Sequence, residues 1–100
     1  MAKWLRLILS DEARADVKHI LLYTETTWGP RQARVYERII GDGLSHLTRF
    51  PNIGHRRDDL PPGYRRYFVG QHAIYYLSDD GNVSVTRVLH VSVDPVDEFS

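Results

Sequence analysis

The chain of 100 residues contains no cysteine, which excludes disulfides and thiolate metal sites and agrees with a reducing compartment. It has no run apolar enough to span a membrane or to act as a signal peptide, so a soluble cytoplasmic protein is expected. Also missing are a glycine-rich phosphate loop, a nucleophile elbow and any His, Asp and Glu cluster at metal-ligand spacing. No cofactor or metal is therefore expected. There is no internal repeat, no low-complexity tract and no linker, and the length suits one modest core, so residues 1–100 read as a single domain.

Net charge is also missing: thirteen basic residues balance thirteen acidic ones. The distribution is nonetheless uneven. Eleven of the basic residues are arginines, and eight of these fall between Arg31 and Arg66 against only Glu37, Asp42, Asp58 and Asp59. From Asp79 onward the balance is acidic, with Arg87 facing five carboxylates. Arginine pairs bidentately with carboxylate and phosphate, so the basic stretch suits an acidic protein partner or nucleic acid, or else it is a solvated face with local pairs.

The richest stretch runs from Tyr64 to His90. Tyr64 to Val69 is aromatic and β-prone, Gly70-Gln71 forms a two-residue turn, and His72 to Leu77 follows at once. Ser78 to Asn82 supplies a second reversal, and Val83 to His90 alternates as a third strand. Such a meander normally buries one face, so an earlier part of the chain must cover it.

Upstream, Lys3 to Leu9 alternates and predicts an opening strand. Ser10 is a good N-cap, with Asp11 and Glu12 in the first turn of a helix ending at Gly29-Pro30. Its apolar stripe is Ala13, Val17, Ile20, Leu21, Thr24 and Trp28. Pro30 can open a second helix, which runs to about Phe50 before Pro51 stops it. Ala33, Tyr36, Ile40, Gly43, Leu47 and Phe50 form the second stripe, and the cost of Gly41 and Gly43 in a helix implies close packing there. Pro51 to Gly63 has no period and reads as a surface loop, and Asp94-Pro95 begins a last turn in the tail. The expected architecture is α+β: βααβββ, with a helical hairpin on one face of an antiparallel sheet of about four strands.

Candidate chemistry is sparse. His19, His46, His55, His72 and His90 are scattered, and the first three fall on helices or a loop where a solvated histidine needs no explanation. Arg87 is expected to share its face with Val85 and Leu89, which look inward. An arginine on such a face is either satisfied within its own chain or held ready for a partner's acid or a phosphate. Metal-free RNA cleavage needs a base, an acid and a cation, for which only His90 with Arg65 or Arg87 is available.

Taken in order, several residues resemble a known family. They are the Leu-x-Leu opening strand, Ala13, Asp16, Tyr23, Trp28-Gly29, Gln32-Ala33, Tyr36, Leu47, Pro51, Gly54, Gly63-Tyr64-Arg65, Ile74-Tyr75-Tyr76 and Arg87-Val88-Leu89-His90. Together they look like the ParE branch of the RelE/ParE toxins of bacterial type II toxin-antitoxin systems, and the match spans nearly the whole chain. The resemblance implies a non-enzymatic toxin that inhibits DNA gyrase by binding. It implies neutralisation by a ParD-like antitoxin, and no sequence-specific nucleic-acid binding by the toxin alone. Residues implied for antitoxin or target binding are Arg56, Arg57, Arg65, Arg66, Arg87 and His90. The alternative is a RelE-like ribosome-dependent mRNA endonuclease using Arg65, Arg87 and His90. Against it, Val91-Ser92-Val93 stands just past the last strand, where ribonuclease relatives carry basic residues or tyrosine.

Overall fold

The computed structural model describes residues 4–99. The expected strand began at Lys3, which lies outside them, as does Ser100. Strand β1 (Arg6–Leu9) leads into helix α1 (Asp11–Trp28), helix α2 (Pro30–Arg49) and a two-residue strand β2 (His55–Arg56). Strands β3 (Arg65–Val69), β4 (His72–Ser78) and β5 (Asn82–His90) follow, with a 3-10 turn at Pro95–Glu98.

Local chemistry sets these limits. The Ser10 side chain accepts from the Ala13 N–H, as an N-cap should. Gly29, at φ 96°, turns the chain between the helices, and Pro30 occupies the first turn of α2. Gly70, at φ 54°, makes the tight turn between β3 and β4. A side chain there would meet Tyr36, whose ring lies 2.7 Å from the position of a Cβ.

The α+β expectation holds, with two refinements. The sheet has five strands in the order β1-β5-β4-β3-β2, because the loop after α2 contributes β2 beside β3. It is also mixed: β1 runs parallel to β5, with Leu7 opposite Val83 and Leu9 opposite Val85. A parallel neighbour needs a long crossover, which the two helices and the meander provide.

The helical hairpin packs on the face that carries Ile74, Tyr76, Val83, Val85 and Val88, with Ala13, Ile40, Leu44 and Leu47 opposite them. Gly43 lets α2 approach Val69 so closely that an added methyl would overlap it. By contrast, no described residue comes within contact of a methyl added at Gly41. The other face holds a smaller cluster of Leu60, Ala73, Tyr75 and Leu89, covered by Tyr64 and Phe99. Loop and tail thus cover part of the second face.

Three expectations of the sequence are corrected. Trp28 and Phe50, assigned to the buried helical stripes, are 70% and 48% exposed, Trp28 as the last residue of α1 and Phe50 as the cap that follows α2. The loop is not wholly irregular, since His55 and Arg56 pair with Arg66 and Arg65. Finally, Arg87 does not share a face with Val85. A register shift leaves Thr86 as an extra residue, so that Tyr76 faces Val85 while its neighbour Tyr75 faces Arg87. Val85 therefore points to the helices, and Arg87 and Leu89 point to the other face.

Candidate functional site

Where α1, α2 and the far ends of β4 and β5 meet, they enclose an open groove of about 750 Å³. Its walls are aromatic: Tyr23 and Trp28 of α1 and Tyr36 of α2, with His72 and His90 on the sheet side. Tyr23 is 67% exposed, so two large aromatic side chains of one helix stand without cover. Single exposed apolar residues need no explanation, but contiguous ones rimmed by polar groups mark interaction sites.

The floor of this groove is rigid. His72 and His90 face each other across β4 and β5, ring centroids 5.4 Å apart. The Tyr36 hydroxyl donates to the Val69 carbonyl at 3.4 Å, accepts the Gln71 N–H at 3.0 Å and meets His72 Nδ1 at 2.5 Å, tying α2 to the β3–β4 turn. Burial pushes the Tyr36 hydroxyl above its usual pKa and so keeps this donor protonated. Burial, and secondarily the neighbouring His90, holds His72 below the ordinary histidine range, which favours its neutral form. His90 is fixed through Nδ1, which receives the Ser92 N–H at 3.1 Å and contacts Ser92 Oγ at 2.7 Å.

The arginines singled out from the sequence lie elsewhere, and most are engaged by the chain itself. Arg87 reaches round the edge of β5 to Asp16 of α1, with two N–H···O contacts of 2.8 and 2.9 Å. Its remaining nitrogen meets Glu98 of the tail at 2.8 Å. The same Asp16 carboxylate accepts the Val88 N–H, capping a backbone group beyond the end of β1. The guanidinium is held well above its already high pKa, chiefly by its bond to Asp16. Of the two readings of Arg87, internal satisfaction is the observed one.

Arg65 donates to the carbonyls of Gly54 and Asn52, bracing the loop against β3. Arg66 lies over the Phe68 ring, 4.5 Å from its centroid. Arg57 forms a fork with Asp59, and Arg56 makes an exposed pair with Asp58.

The set required for RNA cleavage is not brought together. His90 is on the helix-facing side of β5, whereas Arg87 is on the opposite side. Arg65 is opposite Tyr76, four positions along β3 from Val69, which pairs with His72 beside His90. At about 3.3 Å per residue and two strand spacings, that separation exceeds roughly 10 Å.

Sequence reasoning named His90 for this region but gave no site role to Tyr23, Trp28, Tyr36 or His72. One signal was readable: Tyr23 falls outside the helical stripe, an aromatic residue on a face assigned to solvent.

The described residues form a small α+β domain whose helical hairpin and sheet recur in toxin-antitoxin structures. A chain of the chromosomal ParDE TA system from P. aeruginosa superimposes with a TM-score of 0.76 and 20% identity, over 89% of this chain and 98% of that one. A chain of the toxin-antitoxin complex RelBE2 from Mycobacterium tuberculosis gives a TM-score of 0.62 and 22% identity, over 88% and 99%. At these identities the likeness concerns the fold.

Sequence relatives carry the assignment further. The model of the family described as ParE toxin of type II toxin-antitoxin system, parDE, matches residues 7–95, and the chain belongs to that family. Toxin ParE1 of M. tuberculosis H37Rv is 34% identical over 90 residues, covering 89% of this chain and 92% of the relative. Toxin ParE1 of Caulobacter vibrioides is 35% identical over 86 residues, covering 86% and 88%.

Proposed function

We propose that this ParE-family toxin acts by binding DNA gyrase and blocking supercoiling, and that a ParD-like antitoxin neutralises it in the cytoplasm. The observation that carries the reading is the match to the family over residues 7–95, joined to an uncovered aromatic groove suited to a protein segment. An amphipathic or extended antitoxin segment seats apolar side chains between Tyr23, Trp28 and Tyr36. Its acidic residues meet the basic stretch between Arg31 and Arg66. Apolar anchors hold the complex and charge sets its rate of formation, since a buried apolar anchor contributes roughly 1.5 to 3 kcal/mol and an exposed ion pair about 0 to 1.

The toxin is not an enzyme in this reading. The separation of Arg65, Arg87 and His90 supports that choice over the endonuclease, because a base, an acid and a cation must converge on one phosphate. The test is a supercoiling assay with purified gyrase and folded toxin. Inhibition relieved by an equimolar antitoxin from the neighbouring reading frame is expected. Supercoiling unaffected by excess toxin would remove gyrase from the account. Cleavage of cellular mRNA within codons, abolished by Arg65→Ala or His90→Ala, would promote the endonuclease instead.

A further inference from the structure

On the side of α1 away from the aromatic groove lies a second shallow depression, bounded by Leu9, Val17, Leu21 and Leu22, with Arg14, Lys18 and Glu25 set among them. Leu22 is 55% exposed, and among the described residues no ion pair or side-chain hydrogen bond engages Arg14, Lys18 or Glu25. Arg14, Lys18, Leu21 and Glu25 follow one another at spacings of four, three and four. Such spacing keeps one seam of a helix facing a neighbouring helix. The seam occupies the middle of α1, whose 18 residues extend about 27 Å at 1.5 Å per residue.

We propose that this seam is a self-association surface, occupied by α1 of a second copy of the chain in antiparallel, two-fold arrangement. The charge pattern selects that occupant. With the two-fold axis between Lys18 and Leu21, Arg14 of each copy faces Glu25 of the other, twice over. Lys18 then lies beside Leu21 of the second copy, its alkyl stem covering the leucine. A two-fold interface must be complementary to itself, and this sequence is. Laid parallel and in register, the same helices would oppose Arg14 to Arg14 and Glu25 to Glu25, which charge repulsion disfavours.

The pairing leaves the aromatic groove open, because Tyr23 and His19 project from the other side of α1. Two toxins joined in this way present two grooves and can hold two antitoxin segments at once. Such linkage raises avidity where the antitoxin is itself paired. The proposal does not depend on gyrase being the target.

Sedimentation velocity of the purified full chain at low salt, over a concentration series, tests it. The wild type is expected to dimerise reversibly. Glu25→Arg and Arg14→Glu should each weaken dimerisation about tenfold to a hundredfold, since each replaces attraction by repulsion at two symmetric places. An equimolar mixture of these two variants should dimerise again, because the two arginines on the seam of one variant then face the two glutamates on the seam of the other. The doubly exchanged R14E/E25R chain should also dimerise. Far-UV circular dichroism checks that each variant is folded. A wild type that stays monomeric at high micromolar concentration, or variants that dimerise as well alone as mixed, would overturn the proposal.

Discussion

The Arg87 clasp and the aromatic groove lie on opposite sides of one strand, yet they differ in how their side chains are satisfied. Arg87 has carboxylates on two sides and is largely covered, with its side chain 21% exposed. Among the described residues, Tyr23 and Trp28 find no cover. A charged group drawn out of water must be paired within the chain, so the residue most conspicuous in sequence is used for stability. An aromatic ring carries no such obligation and can wait for a partner. At Arg87, therefore, charge holds the fold together, while the uncovered aromatic area is the surface that the proposed function gives to another molecule.

The largest expected effect breaks the clasp. Arg87→Ala leaves the largely buried Asp16 without its cation and severs the tail from α1, and we expect a loss of about 3 kcal/mol in denaturant unfolding. A loss below about 1 kcal/mol would mean that the clasp is dispensable and would erase the contrast. Trp28→Ala should do the reverse. Stability should change by no more than about 0.5 kcal/mol, while antitoxin affinity falls by about 2 kcal/mol, roughly thirtyfold, in a binding titration. Equal effects on stability and binding would show that Trp28 is a structural residue.

A third test sharpens the comparison through pH. The neutral form of His72 is favoured in the folded state, where Tyr36 and His90 face it and burial lowers its pKa below 6.5. In the window between that lowered value and 6.5 the unfolded chain binds more protons, so stability rises with pH. The His72 contribution is complete above about pH 6.5 and is lost as pH falls toward and through the folded value. Thermal midpoints measured from about pH 7.5 to about pH 5 should therefore decline, and His72→Gln should flatten that part of the curve. The smallest effect is expected from Arg56→Ala, which removes a pair exposed on both sides. Stopped-flow association with antitoxin should slow at low salt while dissociation scarcely changes.

Much of this molecule was legible in its sequence, and for identifiable reasons. Ser10, Gly29-Pro30 and Pro51 delimit the helices through backbone chemistry that context seldom overrides, and Gly70-Gln71 places its hairpin in the same way. The extra residue at Thr86 was not legible. The run from Val83 to His90 alternates with no sign of a break, and only the pairing with β4 reveals where the faces exchange. Nor could periodicity show which end of the apolar stripe on α1 stays uncovered. The stripe containing Trp28 is a real helical stripe, but its last member stands exposed on the wall of the groove. The two-residue β2 is too short to carry any period. The groove was obscure because its members come from both helices and from two strands, joined only by the fold.

The parallel pairing of β1 with β5 also gives the molecule a history. The earliest of the described strands pairs with the latest, Leu7 lying opposite Val83. Contacts so distant along the chain form late, because the intervening loop must be closed before they contribute. β1 therefore has no strand to join until β5 is available. Ser10, which caps α1 and also bonds to the Thr86 carbonyl, sets the seating of that helix at the same moment. The groove, whose floor includes Val88 and His90, is therefore completed only when β5 has joined the sheet.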